Sequence, residues 1–210
     1  MVTSDIVAYV RSALPAPPAR VLEVGAGDGE LARHLRDAGY DVVAIDPEGG
    51  PEIVPVHLHE LEAPDGSFDA AVAVTSLHHV EPVTESVDRL AALLPPGARL
   101  VVDEFDIGRF DDAAARWWLS HSGHEHDPAE LAADMRHHLH GLDLLREELG
   151  RWFELGEPVP GPYLYRWEID PALRGEEETL IAAGRIPAIG ARFIAIRGSR
   201  APAAPPSPRA

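Results

Sequence analysis

A chain of 210 residues with 45% hydrophobic content is long enough to bury the core of one α/β domain, and it has no apolar run near the ~20 residues a membrane span requires. It has no cysteine, which excludes disulfides and thiolate metal sites; with no basic-then-apolar pattern at the N-terminus, a cytoplasmic location is expected. Its 35 acidic and 18 basic residues give a net charge of −17, which repels phosphate backbones and argues for a small-molecule substrate rather than nucleic acid.

In chain order, Ser4–Leu14 reads as an amphipathic helix capped by Thr3 or Ser4, followed by a proline-rich break at Pro15–Ala19. Strands are predicted at Arg20–Val24, Asp41–Ile45, Ile53–His57, Phe68–Val74 and Arg99–Glu104, with helices at Gly29–Ala38 and Val83–Leu94. Continuous apolar strands alternating with helices indicate an α/β, doubly wound, mostly parallel sheet covered on both faces. The pattern then changes. Asp111–His121, Ala129–His140, Leu142–Gly150 and Pro171–Gly184 read as helices, Arg151–Trp167 is strand-like but broken by prolines, and Ala191–Arg197 is a last strand. Arg200–Ala210 reads as a flexible tail.

Every basic residue is arginine. A Walker-type phosphate loop, a pyridoxal Schiff base and a Tyr-x-x-x-Lys pair each need lysine and are excluded. What remains is the segment Gly25-Ala26-Gly27-Asp28-Gly29, between a strand and a helix. Ligands of parallel sheets bind beyond the carboxyl ends of the strands, and glycine there permits close backbone approach. Asp46 closes the next strand, where an acid can accept hydrogen bonds from both hydroxyls of a ribose. A nicotinamide dinucleotide and S-adenosylmethionine both contain that ribose. Gly-x-Gly-x-Gly differs from the Gly-x-Gly-x-x-Gly of a pyrophosphate turn, and Glu30 at the helix start repels a pyrophosphate. Glu23, inside the first strand, needs a compensating partner when buried. S-adenosylmethionine brings an ammonium and a sulfonium.

VLEVGAGDG (Val21–Gly29), VVAIDPE (Val42–Glu48), PDGSFDAAVAVTSLHHV (Pro64–Val80) and LLPPGARLVVDEF (Leu93–Phe105) together resemble the class I S-adenosylmethionine-dependent methyltransferases. The likeness is greatest to the small-molecule branch similar to the enzymes of ubiquinone and menaquinone synthesis. The resemblance implies a Rossmann-like seven-stranded sheet with an antiparallel last strand, in one domain over 1–198. Residues 1–19 form an N-terminal helix and linker, helical lid insertions over 106–190 select the substrate, and 199–210 is a tail. It implies that Gly25, Ala26 and Gly27 line the methionine part, helped by Glu23, and that Asp46 binds the ribose with Pro47 against the adenine. Thr75 and Ser76 meet the cofactor's amino group through the backbone. The family usually has an Asp beside the adenine amino group; this chain has His57 there, followed by Leu58. The product is S-adenosylhomocysteine.

Methyl transfer from a sulfonium needs mainly position and desolvation. An oxygen acceptor also needs a base, and His79, or less directly His78, follows the fourth strand at the reactive end. His121, His124, His126, His137, His138 and His140 match no defined zinc spacing, so no metal is expected. Tyr163, Tyr165 and Trp167 alternate and would share one face of a strand. Arg166 reads as a substrate-carboxylate ligand or as one half of an ion pair. The alternative is a protein of this fold that binds the cofactor but catalyses cyclisation or rearrangement, or that only binds. Oligomeric state is not legible.

Overall fold

The computed structural model describes residues 2–199; the expected tail at Arg200–Ala210 lies outside them. Helix α1 (Ser4–Ala13) starts at Thr3, whose side chain accepts from the Ile6 N–H, and buries Ile6 and Val10. The alternating region gives β1 (Arg20–Val24), α2 (Glu30–Asp37), β2 (Asp41–Ile45), β3 (Ile53–Val54), β4 (Ala70–Val74), α3 (Val83–Leu93) and β5 (Arg99–Phe105). The rest gives α4 (Asp112–Ser122), α5 (Pro128–His138), α6 (Leu142–Gly150), β6 (Phe153–Leu155), β7 (Val159–Gly161), α7 (Arg174–Ala182) and β8 (Gly190–Arg197).

The sheet runs β3-β2-β1-β4-β5-β8-β6, with β7 also paired to β8. Strands β1 to β5 are mutually parallel, and β8 is antiparallel to β5, β6 and β7. The eight strands fill seven positions, because β6 and β7 pair with opposite halves of β8, at Ala195–Arg197 and Gly190–Arg192. They are one outer strand interrupted at Gly156, where a Cβ would stand 2.8 Å from the Ile194 carbonyl oxygen. Pro158 and Pro160, without N–H groups, fit an outer position.

Alternation along the strands sends Leu22, Ala71, Leu100 and Val102 into a core shared with α3 and α6. Val21, Ala44, Val72 and Val101 face α1 and α2. Residues 106–190 divide between two places. Helix α6 packs Leu145 and Leu149 into the main core, whereas α4, α5 and α7 gather around Phe105, Phe110, Trp118 and Leu164 in a separate cluster.

Two expected strands are shorter. The third ends at Val54. The fourth begins at Ala70, because Asp69 caps the first strand instead, accepting from the Arg20 N–H at 2.7 Å through its side chain. The expected alternation of Tyr163, Tyr165 and Trp167 on a strand is corrected: Leu164–Arg166 is a 3-10 turn. Glu177, fully buried, accepts from the backbone N–H groups of Tyr163, Leu164 and Tyr165 at 2.7, 3.0 and 2.9 Å. Those bonds replace the ladder a strand would need.

Candidate ligand cavity

The turn after β1 is built for close approach. Gly25, Gly27 and Gly29 all have positive φ, at 68, 56 and 73°, where a side chain is disfavoured. At Gly25 a Cβ would also fall 2.3 Å from the Ser76 Cβ. The two strand ends are tied there, since the Ser76 hydroxyl donates to the Val24 carbonyl at 2.7 Å. One strand over, Asp46 accepts from the Gly27 N–H and the Glu48 N–H, one on each carboxylate oxygen, both at 3.0 Å. Its orientation is thus set by backbone donors.

These residues enclose a cavity of about 550 Å³. Gly25 and Gly27 form one wall, Asp46 and Pro47 a second, His57 and Leu58 a third, and Thr75, Ser76 and His79 a fourth. Of the site residues read from sequence, these nine converge. Glu23, Ala26 and His78 are buried, at 3, 8 and 4% exposure, and stand behind the lining.

The fourth wall is held from below by Glu104, which is fully buried. One oxygen accepts from the Ser76 and Leu77 N–H groups at 2.7 and 2.6 Å, and the other lies 2.8 Å from His78 Nδ1. Thr75 has φ 53°, a strained conformation for a β-branched residue. It is held there by its N–H bond to the Asp103 carbonyl at 2.8 Å. Sequence reasoning passed over Glu104, Asp103 and Glu177. The signal for the first two was two adjacent acids ending an apolar strand, which point to opposite faces and each require a buried partner.

Burial pushes the Glu23 carboxyl up to about 8, with Arg36 opposing and Asp28 adding, and its Oε2 has no hydrogen-bond partner among the described residues. His79 is held below the ordinary imidazole value, first by burial and then by the nearby His78, against an opposing Glu104. The His78 and His79 rings are 4.2 Å apart between centroids.

The remaining histidines disperse. His121 lies 3.5 Å from Glu176, His124 stacks on Trp118, His138 faces Asp134 and His140 pairs with Glu81 at 2.9 Å. Among the described residues no three His, Asp or Glu side chains are placed to hold a metal ion, and no helix is long and apolar enough to cross a membrane.

Residues 4–147 match a family model described as a methyltransferase domain. The chain is 36% identical over 100 residues to an uncharacterized methyltransferase of Mycobacterium tuberculosis, covering 41% of this chain and 40% of that one; the match thus spans less than half the length of that relative. It is 32% identical over 177 residues to a ubiquinone biosynthesis O-methyltransferase of Xylella fastidiosa, covering 67% of this chain and 69% of that one. Its fold is similar to that of the 1,6-didemethyltoxoflavin-N1-methyltransferase of Burkholderia thailandensis, solved with 1,6-didemethyltoxoflavin and S-adenosylhomocysteine. The TM-score is 0.55 and the identity 19%, over 87% of this chain and 72% of that one.

Proposed function

The chain belongs to the methyltransferase-domain family, and from that premise we propose that it transfers a methyl group from S-adenosylmethionine to a small molecule. The observation that carries this reading is Asp46. Its two oxygens are fixed by Gly27 and Glu48 at the edge of a cavity that the glycine turn also lines. The unpartnered Glu23 Oε2 beneath that turn fits a cationic ligand and not a pyrophosphate.

In this reading Asp46 takes the ribose hydroxyls, Pro47 packs on the adenine, and His57 with Leu58 meets its amino edge. Gly25, Ala26 and Gly27 receive the methionine portion, Glu23 supplies negative field below it once the cation has displaced its proton, and Thr75 and Ser76 present backbone groups. When bound, S-adenosylmethionine supplies an electrophilic methyl with its leaving group already in place. The protein excludes water and aligns the acceptor. Oxygen is the acceptor atom we favour. His79 lines the cavity with a lowered proton affinity, which suits a neutral general base for a hydroxyl, while His78 supports it from behind. The resemblance to O-methyltransferase relatives supports the same choice.

Calorimetry with S-adenosylmethionine, S-adenosylhomocysteine and NAD tests the central claim. Binding of the sulfur compounds is expected; binding of NAD alone would sink it. Asp46→Ala is expected to weaken S-adenosylhomocysteine binding by about 1.5–3 kcal/mol. Cofactor binding with no S-adenosylhomocysteine formed across a broad acceptor panel would favour the alternative, a rearrangement catalyst or a binding protein.

A further inference from the structure

We propose that a second cavity, of about 190 Å³, between the start of α1, the segment from β7 to Arg166, and the start of β8, is an oxyanion subsite. In it Arg166 holds a carboxylate or phosphate carried by the methyl acceptor. The inference rests on the methyl-transfer reading for the word acceptor; the anion site itself rests on the geometry below.

The first observation is an imbalance of donors and acceptors. Asp103 is 1% exposed and both its oxygens are engaged, one by Arg166 Nη2 and one by Arg192 Nε, each at 2.7 Å. Asp5 takes Arg192 Nη2 at 2.8 Å and lies 3.6 Å from Arg174 Nη1. Arg174 also bonds Glu178, outside the lining, at 2.9 Å. The carboxylates lining the cavity are thus committed, yet Nε and Nη1 of Arg166 have no partner among the described residues. Its side chain is 6% exposed. Leaving donors of a buried guanidinium unmatched is costly.

The second observation is charge. Arg166, Arg174 and Arg192 line the cavity against Asp5 and Asp103, with Glu178 paired to Arg174 and Glu177 acting on Arg166, so guanidinium groups are concentrated here in a chain of net charge −17. Burial would by itself raise the Asp5 carboxyl, but the Arg192 guanidinium, with Arg174 and Arg166, holds it below the usual value. An oxyanion is the ligand class that such a guanidinium cluster recognises.

The third observation is position. Asp103 lines this cavity, and its carbonyl holds the N–H of Thr75, which lines the other. The Arg166 guanidinium lies 4.6 Å above the Tyr163 ring, which stacks on Phe105 with centroids 4.7 Å apart. The two cavities therefore lie next to one another at Thr75 and Asp103. An acceptor anchored by its anion at Arg166 is restrained in orientation toward the reactive end of the first cavity.

The test titrates the full chain with acetate, succinate and inorganic phosphate at fixed ionic strength. It follows thermal midpoint and the NMR signals of arginine Nε–H groups, with S-adenosylhomocysteine affinity measured in parallel. Saturable stabilisation is expected, with the preferred anion distinguishing a carboxylate from a phosphate. Arg166→Met is expected to weaken it about tenfold or more, the scale of a lost charged hydrogen bond. Asp103→Asn is expected to act oppositely, tightening anion binding by about tenfold because the anion replaces the lost carboxylate. No saturable effect in the unmodified protein, or equal effects in Arg166→Met, would overturn the proposal. If Arg166→Met does not fold, Asp103→Asn decides: unchanged or weaker anion binding overturns the site. Failure of S-adenosylhomocysteine to bind the unmodified protein would instead remove the methyl-transfer reading and leave the anion arm to stand by itself.

Discussion

The two cavities are walled by different materials. Around β1, β2 and β4 the polar groups are fixed by main chain: glycine turns, an aspartate pinned by amides, and a serine hydroxyl on a carbonyl. Around β5 and β8 the polar groups are side chains joined to side chains across the chain, Arg166 and Arg192 to Asp103 and Arg192 to Asp5. Main-chain walls read a ligand portion that does not vary, because a substitution changes them little unless it alters the backbone. Side-chain walls change with single substitutions, which suits a region that distinguishes one acceptor from another.

The sharpest way to break this contrast is Gly25→Ala. A methyl 2.3 Å from the Ser76 Cβ, on a residue with φ 68°, forces the β1 and β4 ends apart. S-adenosylhomocysteine affinity should fall at least about 100-fold, roughly 3 kcal/mol. Retained affinity in calorimetry would show that the β1 and β4 ends can separate without loss of the ligand site.

Glu177→Ala probes the other side. It leaves three buried N–H groups without an acceptor and should cost about 3 kcal/mol of stability. Faster hydrogen exchange should be confined to 163–167, with cofactor affinity nearly kept. Loss spread evenly over the sheet would mean that the two sides are not separable.

Glu23 supplies a smaller, pH-dependent effect. Its carboxyl is raised from 4.5 to about 8 in the folded chain. That contribution to stability is therefore complete below about pH 4.5 and fades as pH climbs through about 8, by at most about 1.4 kcal/mol per unit. Glu23→Gln should remove this slope from the unliganded protein. A cation bound above Glu23 should expel its proton, so binding heats at pH 7 should depend on the buffer's ionisation enthalpy. Buffer-independent heats would detach Glu23 from the ligand.

The least effect on binding is expected of His79→Ala. Cofactor affinity should be nearly unchanged, while turnover of a hydroxyl acceptor falls and its acidic pH limb disappears. An active variant with an unaltered pH profile would remove the base role.

The same contrast explains what the sequence disclosed. Gly25, Gly27 and Asp46 were legible because local backbone chemistry demands those residue types at strand ends. The strands Arg20–Val24 and Asp41–Ile45 were legible as continuous apolar runs. Tyr163, Tyr165 and Trp167 misled because their alternation is real, but a carboxylate 12–14 residues away takes the N–H groups that a ladder would use. Arg166 could be read as ligand or ion pair, and its partner Asp103, 63 residues distant, leaves no periodic trace. His78 fell behind the lining because Glu104 draws its ring inward.

The break at Gly156 in the outermost strand has a consequence for life in a crowded solution. One border of the sheet is β3, of two residues; the other is split into two three-residue pieces, with Pro158 and Pro160 contributing no donors. Neither border offers a long unbroken row of amides onto which another chain could stack. Both rims thus resist the strand-to-strand fibril growth to which open sheets are prone.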